Sequence, residues 1–149
     1  MEHVERSVVI AAPIERVFSF HDDTRNLLAI TPPHLKVDIT AMGTPGPGYE
    51  VTLTVRFLGL IPMRWHVRIT EHVPPVRMTD VQVSGPFRSW TQVRRLREVE
   101  GGTELTDVVD YEVPFGVLGR LADTLFIRRQ IRSMFAYRQA ATKRNLESA

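Results

Sequence analysis

The chain has 149 residues, of which 43% are hydrophobic, and a chain of this size buries a core as one domain without covalent cross-links. It contains no cysteine, which excludes disulfides and thiolate chemistry and leaves His, Asp and Glu as the residue types that could bind zinc. The formal net charge is +2, with +5 concentrated in residues 120–149. Because neither an N-terminal signal pattern nor an apolar run of about 18 residues is present, we expect a soluble, cytoplasmic protein.

The first predicted elements are a strand and two short helices. Residues 3–10 are rich in β-branched residues and partly alternate, which is typical of a strand. Pro13 then begins a short helix over 14–20. A second short helix is predicted over 25–30, and the prolines of residues 31–33 end it.

The middle of the chain predicts six further strands. Apolar and polar residues alternate most regularly over 51–57 and 63–69, as in strands with one buried face. Consecutive antiparallel strands pair with their neighbours by default, which favours a meander. The predicted strands cover residues 35–40, 51–57, 63–70, 76–83, 88–98 and 103–113.

Residues 114–146 are predicted to form one long C-terminal helix, because no proline follows Pro114. Two apolar stripes lie about half a turn apart on this helix, whereas a straight amphipathic helix keeps one. We therefore predict a kink or π-bulge between Asp123 and Arg128; the alternative is a helix buried on two sides, for instance by a dimer partner. The stripes are Leu118, Leu121, Ala122 and Leu125, and Ile127, Ile131, Met134, Phe135 and Arg138.

This order of elements predicts an α+β helix-grip fold. An antiparallel sheet of about seven strands with one apolar face needs a cover, and the long helix is large enough to provide it. A strongly twisted sheet wrapped around one helix leaves space between them, closed at one end by the two short helices. We expect a cavity on the order of 300–1,000 Å³ there.

Several stretches carry a resemblance to a known family. The chain resembles the START-like, Bet v 1-like (SRPBCC) superfamily, and within it the bacterial polyketide cyclase/dehydrase-like branch. The resemblance implies a single START-like ligand-binding domain over residues 1–149, but it does not define an activity, because this scaffold hosts lipid carriers, hormone receptors and cyclases. Relatives often carry histidines after the strand tryptophan, where this chain has Gln92 and Arg94, so a role for those histidines cannot be transferred. The matching stretches are APIERVF at 12–18, NLLAITPP at 26–33, SGPFRSW at 84–90, GGTELTD at 101–107, YEVPFGVLGRL at 111–121 and MFAYR at 134–138.

Strand alternation selects the side chains that face the cavity. Arg94 and Asp107 fall on inward faces of two hairpin strands and are expected to pair, since buried charges persist only when paired. Gln92 and Tyr111 should lie near this pair. The alternatives are a structural ion pair at the sheet edge, or a bulge that turns both side chains outward. The predicted ligand-binding residues are Phe57, Trp65, Trp90, Gln92, Arg94, Asp107, Tyr111, Leu125 and Met134.

The predicted partner is a hydrophobic or amphipathic small molecule, such as a lipid, isoprenoid, quinone or aromatic compound. A cyclase or dehydratase is the alternative, with Tyr111, Arg94 and Asp107 polarising a carbonyl and moving protons. A third interpretation is an interaction module that uses the basic helix on RNA or a membrane, although a solvated outer face is the commoner role of such cations. Nucleic acid is not favoured, a transient membrane contact stays open, and the chain fits a monomer or a homodimer.

Neither a cofactor nor a metal is predicted, and no residue is assigned a catalytic role. His21 and His34 flank the second short helix, but no carboxylate stands at ligand spacing from them. We expect the cavity to open near this helix and its Thr31 to Pro33 stop. The apolar turn over 58–62 is predicted either to contact a ligand, partner or membrane, or to pack under the start of the long helix.

Overall fold

The computed structural model describes residues 1–43, 46, 48–57 and 61–147, with the side chains of Phe57 and Ile61 left out. The described strands are β1 (Glu2–Ile10), β2 (Leu35–Met42), β3 (Glu50–Phe57), β4 (Ile61–Val73), β5 (Arg77–Ser84), β6 (Ser89–Val99) and β7 (Gly102–Glu112). The helices are α1 (Ile14–Asp22), α2 (Asn26–Ala29), α3 (Gly116–Ala122) and α4 (Arg128–Glu147), with a π-helical segment (Asp123–Ile127) between α3 and α4.

The seven strands form one antiparallel sheet in the order β1-β7-β6-β5-β4-β3-β2. Because β1 and β2 lie at opposite edges, the connection through α1 and α2 crosses one end of the sheet. The predicted helix-grip architecture is confirmed. No described helix is both long and apolar enough to cross a membrane.

The register of β6 against β7 contains no bulge, and this decides where the predicted polar pair lies. Arg94 is directly opposite Asp107, and Trp90 is directly opposite Tyr111. On the other side of β6, Met78 of β5 faces Arg94. The predicted pairing of Arg94 with Asp107 is therefore confirmed, and the bulge that would turn both side chains outward is absent from this described hairpin.

The π-helical segment lies where the two apolar stripes predicted a break, so that prediction is confirmed. The second stripe faces the sheet, with Ile131 and Phe135 buried. Much of the first stripe faces outward: Leu121 is 56% exposed and Leu125 66%. The prediction that Leu125 lines the cavity is therefore wrong, because the extra residue of the π turn rotates α3 relative to α4.

Close backbone packing holds α3 at the end of the sheet. Gly119 is buried against Pro114, and a Cβ atom at this position would overlap the Pro114 carbonyl oxygen. Phe115, just before α3, adopts a left-handed backbone conformation with φ of 70°, which an aromatic residue adopts at a cost of about 1 kcal/mol or more. The start of the long helix is thus fixed by backbone contacts rather than by burial of its apolar side chains.

Candidate functional site

A cavity of about 600 Å³ lies between the sheet and the C-terminal helix. Its walls are almost entirely apolar. Exposed side chains form its rim: Phe115 just before α3, Leu118 in α3 and Phe126 in the π-helical segment. The walls include Val55, Met63, Trp65, Trp90, Ile131 and Met134.

Three aromatic rings form one wall of this cavity. The Trp90 ring lies 4.9 Å from the Trp65 ring and 4.9 Å from the Phe87 ring, measured between centroids. Gln82 braces this wall, since its amide group donates to the Phe87 carbonyl at 2.7 Å and accepts from the Phe87 N–H at 3.3 Å. A Cβ atom on Gly85 would come within 2.8 Å of the Trp65 ring, so the glycine allows the close approach. These contacts give a physical reason for the glycine and the two aromatic residues in the SGPFRSW stretch at 84–90.

A smaller chamber of about 110 Å³ adjoins the apolar cavity, and it is called the polar chamber below because charged and polar side chains stand among its apolar walls. The two share Trp65, Trp90 and Met134 as wall residues. Residues of the α1–α2 region, including Leu27 and Ile30, form part of the chamber's wall. The polar groups that line it include His21, Asp80, Gln92, Arg94 and Arg138.

Asp107 lies behind the chamber wall, where it anchors Arg94. Its carboxylate accepts a hydrogen bond from Gln139 Nε2 at 3.0 Å and one from Gln92 Nε2 at 3.4 Å. Arg94 Nε lies 3.4 Å from Asp107 Oδ1, close enough for an ion pair, although its N–H is not directed at that oxygen for a hydrogen bond. Asp107 is 5% exposed and does not line the chamber, so its role is to position the guanidinium group.

Asp80 and Arg138 face the chamber from β5 and α4. Among the described residues, neither forms an ion pair within 4 Å. Burial raises the pKa of Asp80 to about 6, although Arg94 and Arg138 oppose the rise. Burial, followed by repulsion from Arg94, lowers the pKa of Arg138 to about 10. The chamber therefore holds a carboxyl group that titrates near neutrality beside two cationic groups.

His21 completes the polar lining from α1. Burial, and secondly the charge of Arg94, lower its pKa to about 3, so its imidazole is neutral at neutral pH. Its Nδ1 atom is bonded to the Val17 carbonyl oxygen at 2.9 Å. Within the described ranges, no cluster of three or more His, Asp or Glu side chains has the arrangement of a metal site.

Tyr111 is not part of the polar chamber, contrary to the prediction that it lies near Arg94. Its ring packs behind Phe87 and Trp90, and its hydroxyl donates to Asp123 Oδ1 at 2.5 Å. Burial, and secondly this hydrogen bond, raise the pKa of Tyr111 well above its ordinary value. A phenol held in this way supports the π-helical segment and is poorly suited to proton transfer in the cavity.

The remaining predicted site residues divide into two groups. Trp65, Trp90 and Met134 line both spaces, and Gln92 and Arg94 line the polar chamber. The side chain of Phe57, predicted as a wall residue, lies outside the described part of the chain. The same applies to residues 58–60 of the predicted apolar turn.

Sequence reasoning missed Asp80 and Arg138 as site residues. Met78 is buried, and the strand period of two places Asp80 on the same face as Met78, so an inward orientation of β5 would have revealed it. Arg138 continues the inward stripe one turn after Met134, and its polar character within an apolar stripe was the available signal.

Known families and structures agree with this architecture. A family model described as "Polyketide cyclase / dehydrase and lipid transport" matches residues 1–147. No curated protein matches the sequence. Among solved structures, the protein TTHA0849 from Thermus thermophilus is 16% identical with a TM-score of 0.81, the match covering 99% of this chain and 98% of that one.

Two further structures share the fold. A START superfamily protein from Mycobacterium smegmatis is 18% identical with a TM-score of 0.75, the match covering 98% of this chain and 97% of that one. The di-domain ARO/CYC StfQ from the steffimycin biosynthetic pathway is 11% identical with a TM-score of 0.78, the match covering 98% of this chain and 51% of that one. At these identities the likeness is one of fold.

Proposed function

Because the chain belongs to the polyketide cyclase / dehydrase and lipid transport family, we propose that it binds a hydrophobic or amphipathic small molecule, of the lipid, isoprenoid, quinone or aromatic class, between sheet and helix. The observation that carries this proposal is the apolar cavity of about 600 Å³. This volume lies within the range of small-molecule sites, which combine apolar walls with a few polar groups.

A cavity-filling variant tests this proposal. Val55 is half-buried and lines the cavity, so Val55→Trp should weaken binding of the neutral apolar dye Nile red by about tenfold or more. Val83, 47% exposed on β5, provides the matched control, because Val83→Trp adds the same indole outside the cavity. Equal dye binding by both variants and the unmodified protein would contradict the proposal. Native mass spectrometry of freshly purified protein would show whether a ligand co-purifies.

A cyclase or dehydratase is a second candidate, and the polar chamber favours it. Asp80, with a pKa of about 6, could exchange a proton near neutral pH, and Arg94 and Arg138 could stabilise a developing enolate oxygen. Asp80 thus replaces Tyr111 as the candidate acid and base. Turnover of a poly-β-ketone substrate that is lost in Asp80→Asn would support this activity.

We propose that the exposed apolar side chains of α3 and the π-helical segment, next to the rim of the apolar cavity, make a transient contact with an anionic bilayer. Leu118, Leu121 and Leu125 are more than half exposed. Arg120 lies within this stretch and Arg129 soon after it, so exposed cations that can attract anionic headgroups stand close to the apolar side chains along the chain. A ligand leaving the bilayer here would enter the cavity without crossing water.

A further inference from the structure

The apolar cavity and the polar chamber follow one another along the same two elements. On α4, Ile131 and Met134 line the apolar cavity, and Arg138 follows Met134 by one helical turn in the chamber. On β6, Trp90 lines both spaces, and Arg94 lies further along the same face in the chamber. An elongated molecule lying along these elements would have one end among apolar side chains and the other among polar ones.

The guanidinium groups of Arg94 and Arg138, both in the chamber, have N–H donors without acceptors. Within the described chain, neither Arg94 nor Arg138 donates a side-chain hydrogen bond, and the Nε atom of each is fully buried. Asp107 compensates the charge of Arg94, whereas no carboxylate of the described residues lies within 4 Å of Arg138. Buried donors without acceptors are costly, so an oxygen-rich group in this chamber would be strongly favoured.

Building on the proposed function, we infer that the ligand is an amphipathic carboxylate, with its apolar body in the larger cavity and its carboxylate against Arg138 in the polar chamber. Arg94 and Gln92 supply further donors from β6. A chamber of about 110 Å³ has room for a carboxylate and a few waters. A dianionic phosphate suits it less, because Asp80 and Asp107 would repel the second negative charge.

Asp80 sets the condition under which the carboxylate binds. In its ionised form, the Asp80 carboxylate repels the ligand carboxylate and is itself attracted to the guanidinium group of Arg138. In its protonated form it removes that competition and can donate a hydrogen bond to the ligand. The protonation state of Asp80 should therefore change the affinity for a carboxylate more than the affinity for a neutral polar head group.

The test compares the binding of two probes of equal chain length, dodecanoate and dodecanol, to the chain of 149 residues. Both tryptophans, Trp65 and Trp90, line the cavities, so intrinsic fluorescence reports binding of either probe. We expect dodecanoate to bind about tenfold or more tightly than dodecanol. Arg138→Met should remove this preference, because it weakens the binding of dodecanoate much more than the binding of dodecanol. Arg132→Met, which removes an exposed cation from the same helix, is the matched control and should keep it.

The outcomes separate this inference from the proposed function. Equal affinity for the two probes in the unmodified protein, or a preference that survives Arg138→Met, overturns the carboxylate assignment while the apolar cavity stands. Failure to bind either probe overturns both. If Arg138→Met does not fold, Asp80→Asn serves instead: it should raise the affinity for dodecanoate relative to dodecanol at neutral pH, and an unchanged ratio of the two affinities contradicts the assignment.

Discussion

Asp107 shows how one buried carboxylate organises the polar chamber from behind its wall. Gln92, Arg94 and Gln139 all place nitrogen atoms beside it from β6 and α4. Gln139 also donates to the Arg6 carbonyl oxygen, so the same amide links α4 to β1. Removal of this carboxylate would leave the Arg94 charge buried without compensation, which is costly in a protein interior.

We therefore expect Asp107→Ala to lower the free energy of unfolding by about 3 to 5 kcal/mol, the usual effect of removing one partner from a buried ion pair. Asp110 on the same strand is the control: it is bonded to His3 at the surface, and Asp110→Ala should cost less than about 1 kcal/mol. Urea unfolding of the two variants measures the difference. Similar losses would show that the Asp107 cluster is no more important than a surface pair.

A second prediction at this scale concerns pH. Because the pKa of Asp80 is raised to about 6 in the folded chain, lowering the pH from about 7.5 to about 5.5 protonates it while dodecanoate stays largely ionised. Dodecanoate affinity should therefore rise as the pH falls through this window, and dodecanol affinity should stay constant. The titratable and charged groups that line the chamber with Asp80 are His21, Asp23, Tyr49, Arg94 and Arg138, and the charge of Asp107 acts on Asp80 from behind the chamber wall.

Among these neighbours, His21 stays neutral across the window, since its pKa is about 3, and burial raises the pKa of Tyr49 above its ordinary value. Arg138, with a pKa of about 10, stays charged. Asp80 is thus the group expected to titrate, and Asp80→Asn should flatten the pH dependence of dodecanoate affinity. A pH dependence that persists in this variant would assign the effect to another group.

At the scale of elements, α3 is unusual in facing solvent with most of its apolar side chains. Leu121 and Leu125, in α3 and the π-helical segment after it, are 56% and 66% exposed, so they contribute little to the core. Their replacement by acidic residues separates a membrane role from a structural one, because an exposed leucine has little burial to lose.

The double variant Leu121→Glu, Leu125→Glu should lose binding to phosphatidylglycerol vesicles while its free energy of unfolding changes by less than about 1 kcal/mol. Co-sedimentation with vesicles measures the first quantity. Val83→Glu, which places a charge on β5 away from the cavity rim, should bind as the unmodified protein does. Vesicle binding that is unaffected by the double variant would exclude α3 as the contact.

The elements were more predictable from sequence than the site. Period-two alternation defined the strands, and a run without proline defined the long helix, because both signals are local. The offset of two stripes even located the π-helical segment. Neither stripe by itself indicates which face meets the sheet, and this is why Leu125 was placed in the cavity. The hydrogen bond from Tyr111 to Asp123 was not predicted, because the π-helical segment is what brings the Asp123 carboxylate to the Tyr111 hydroxyl.

Within the site, the positions that could be predicted were those that the register of the β6–β7 hairpin determines. Arg94 and Asp107 stand opposite each other as hairpin pairing requires. Asp80 and Arg138 reach the chamber from β5 and α4, and their approach depends on sheet curvature and helix docking. Those are tertiary properties: alternation along β5 places Asp80 on the same face as Met78, but it does not show that this face meets Arg138 of α4.

At the scale of the whole molecule, an internal cavity makes stability depend on occupancy. A ligand that binds the folded chain stabilises it by about 2.7 kcal/mol at a concentration one hundred times its Kd. For a chain of this size that corresponds to a rise in Tm of roughly 5 to 10 °C. We expect protein stripped of co-purified ligand by organic extraction and refolding to melt at a lower temperature, with dodecanoate restoring the difference. Identical Tm values with and without dodecanoate at saturating concentrations would contradict internal binding.

The π-helical turn also determines which surface the molecule offers to the outside. One inserted residue advances the helix by about 100° of rotation, so a single rod presents one apolar face inward and a different one outward. Deletion of exposed Thr124 would restore the regular phase and turn α3 by that angle. Asp123 would then leave Tyr111, and Gly119 would leave the Pro114 carbonyl. We expect such a variant to keep its circular dichroism helix signal, to unfold at lower urea concentration and to lose vesicle binding, because its outward apolar face would have rotated away from the cavity rim.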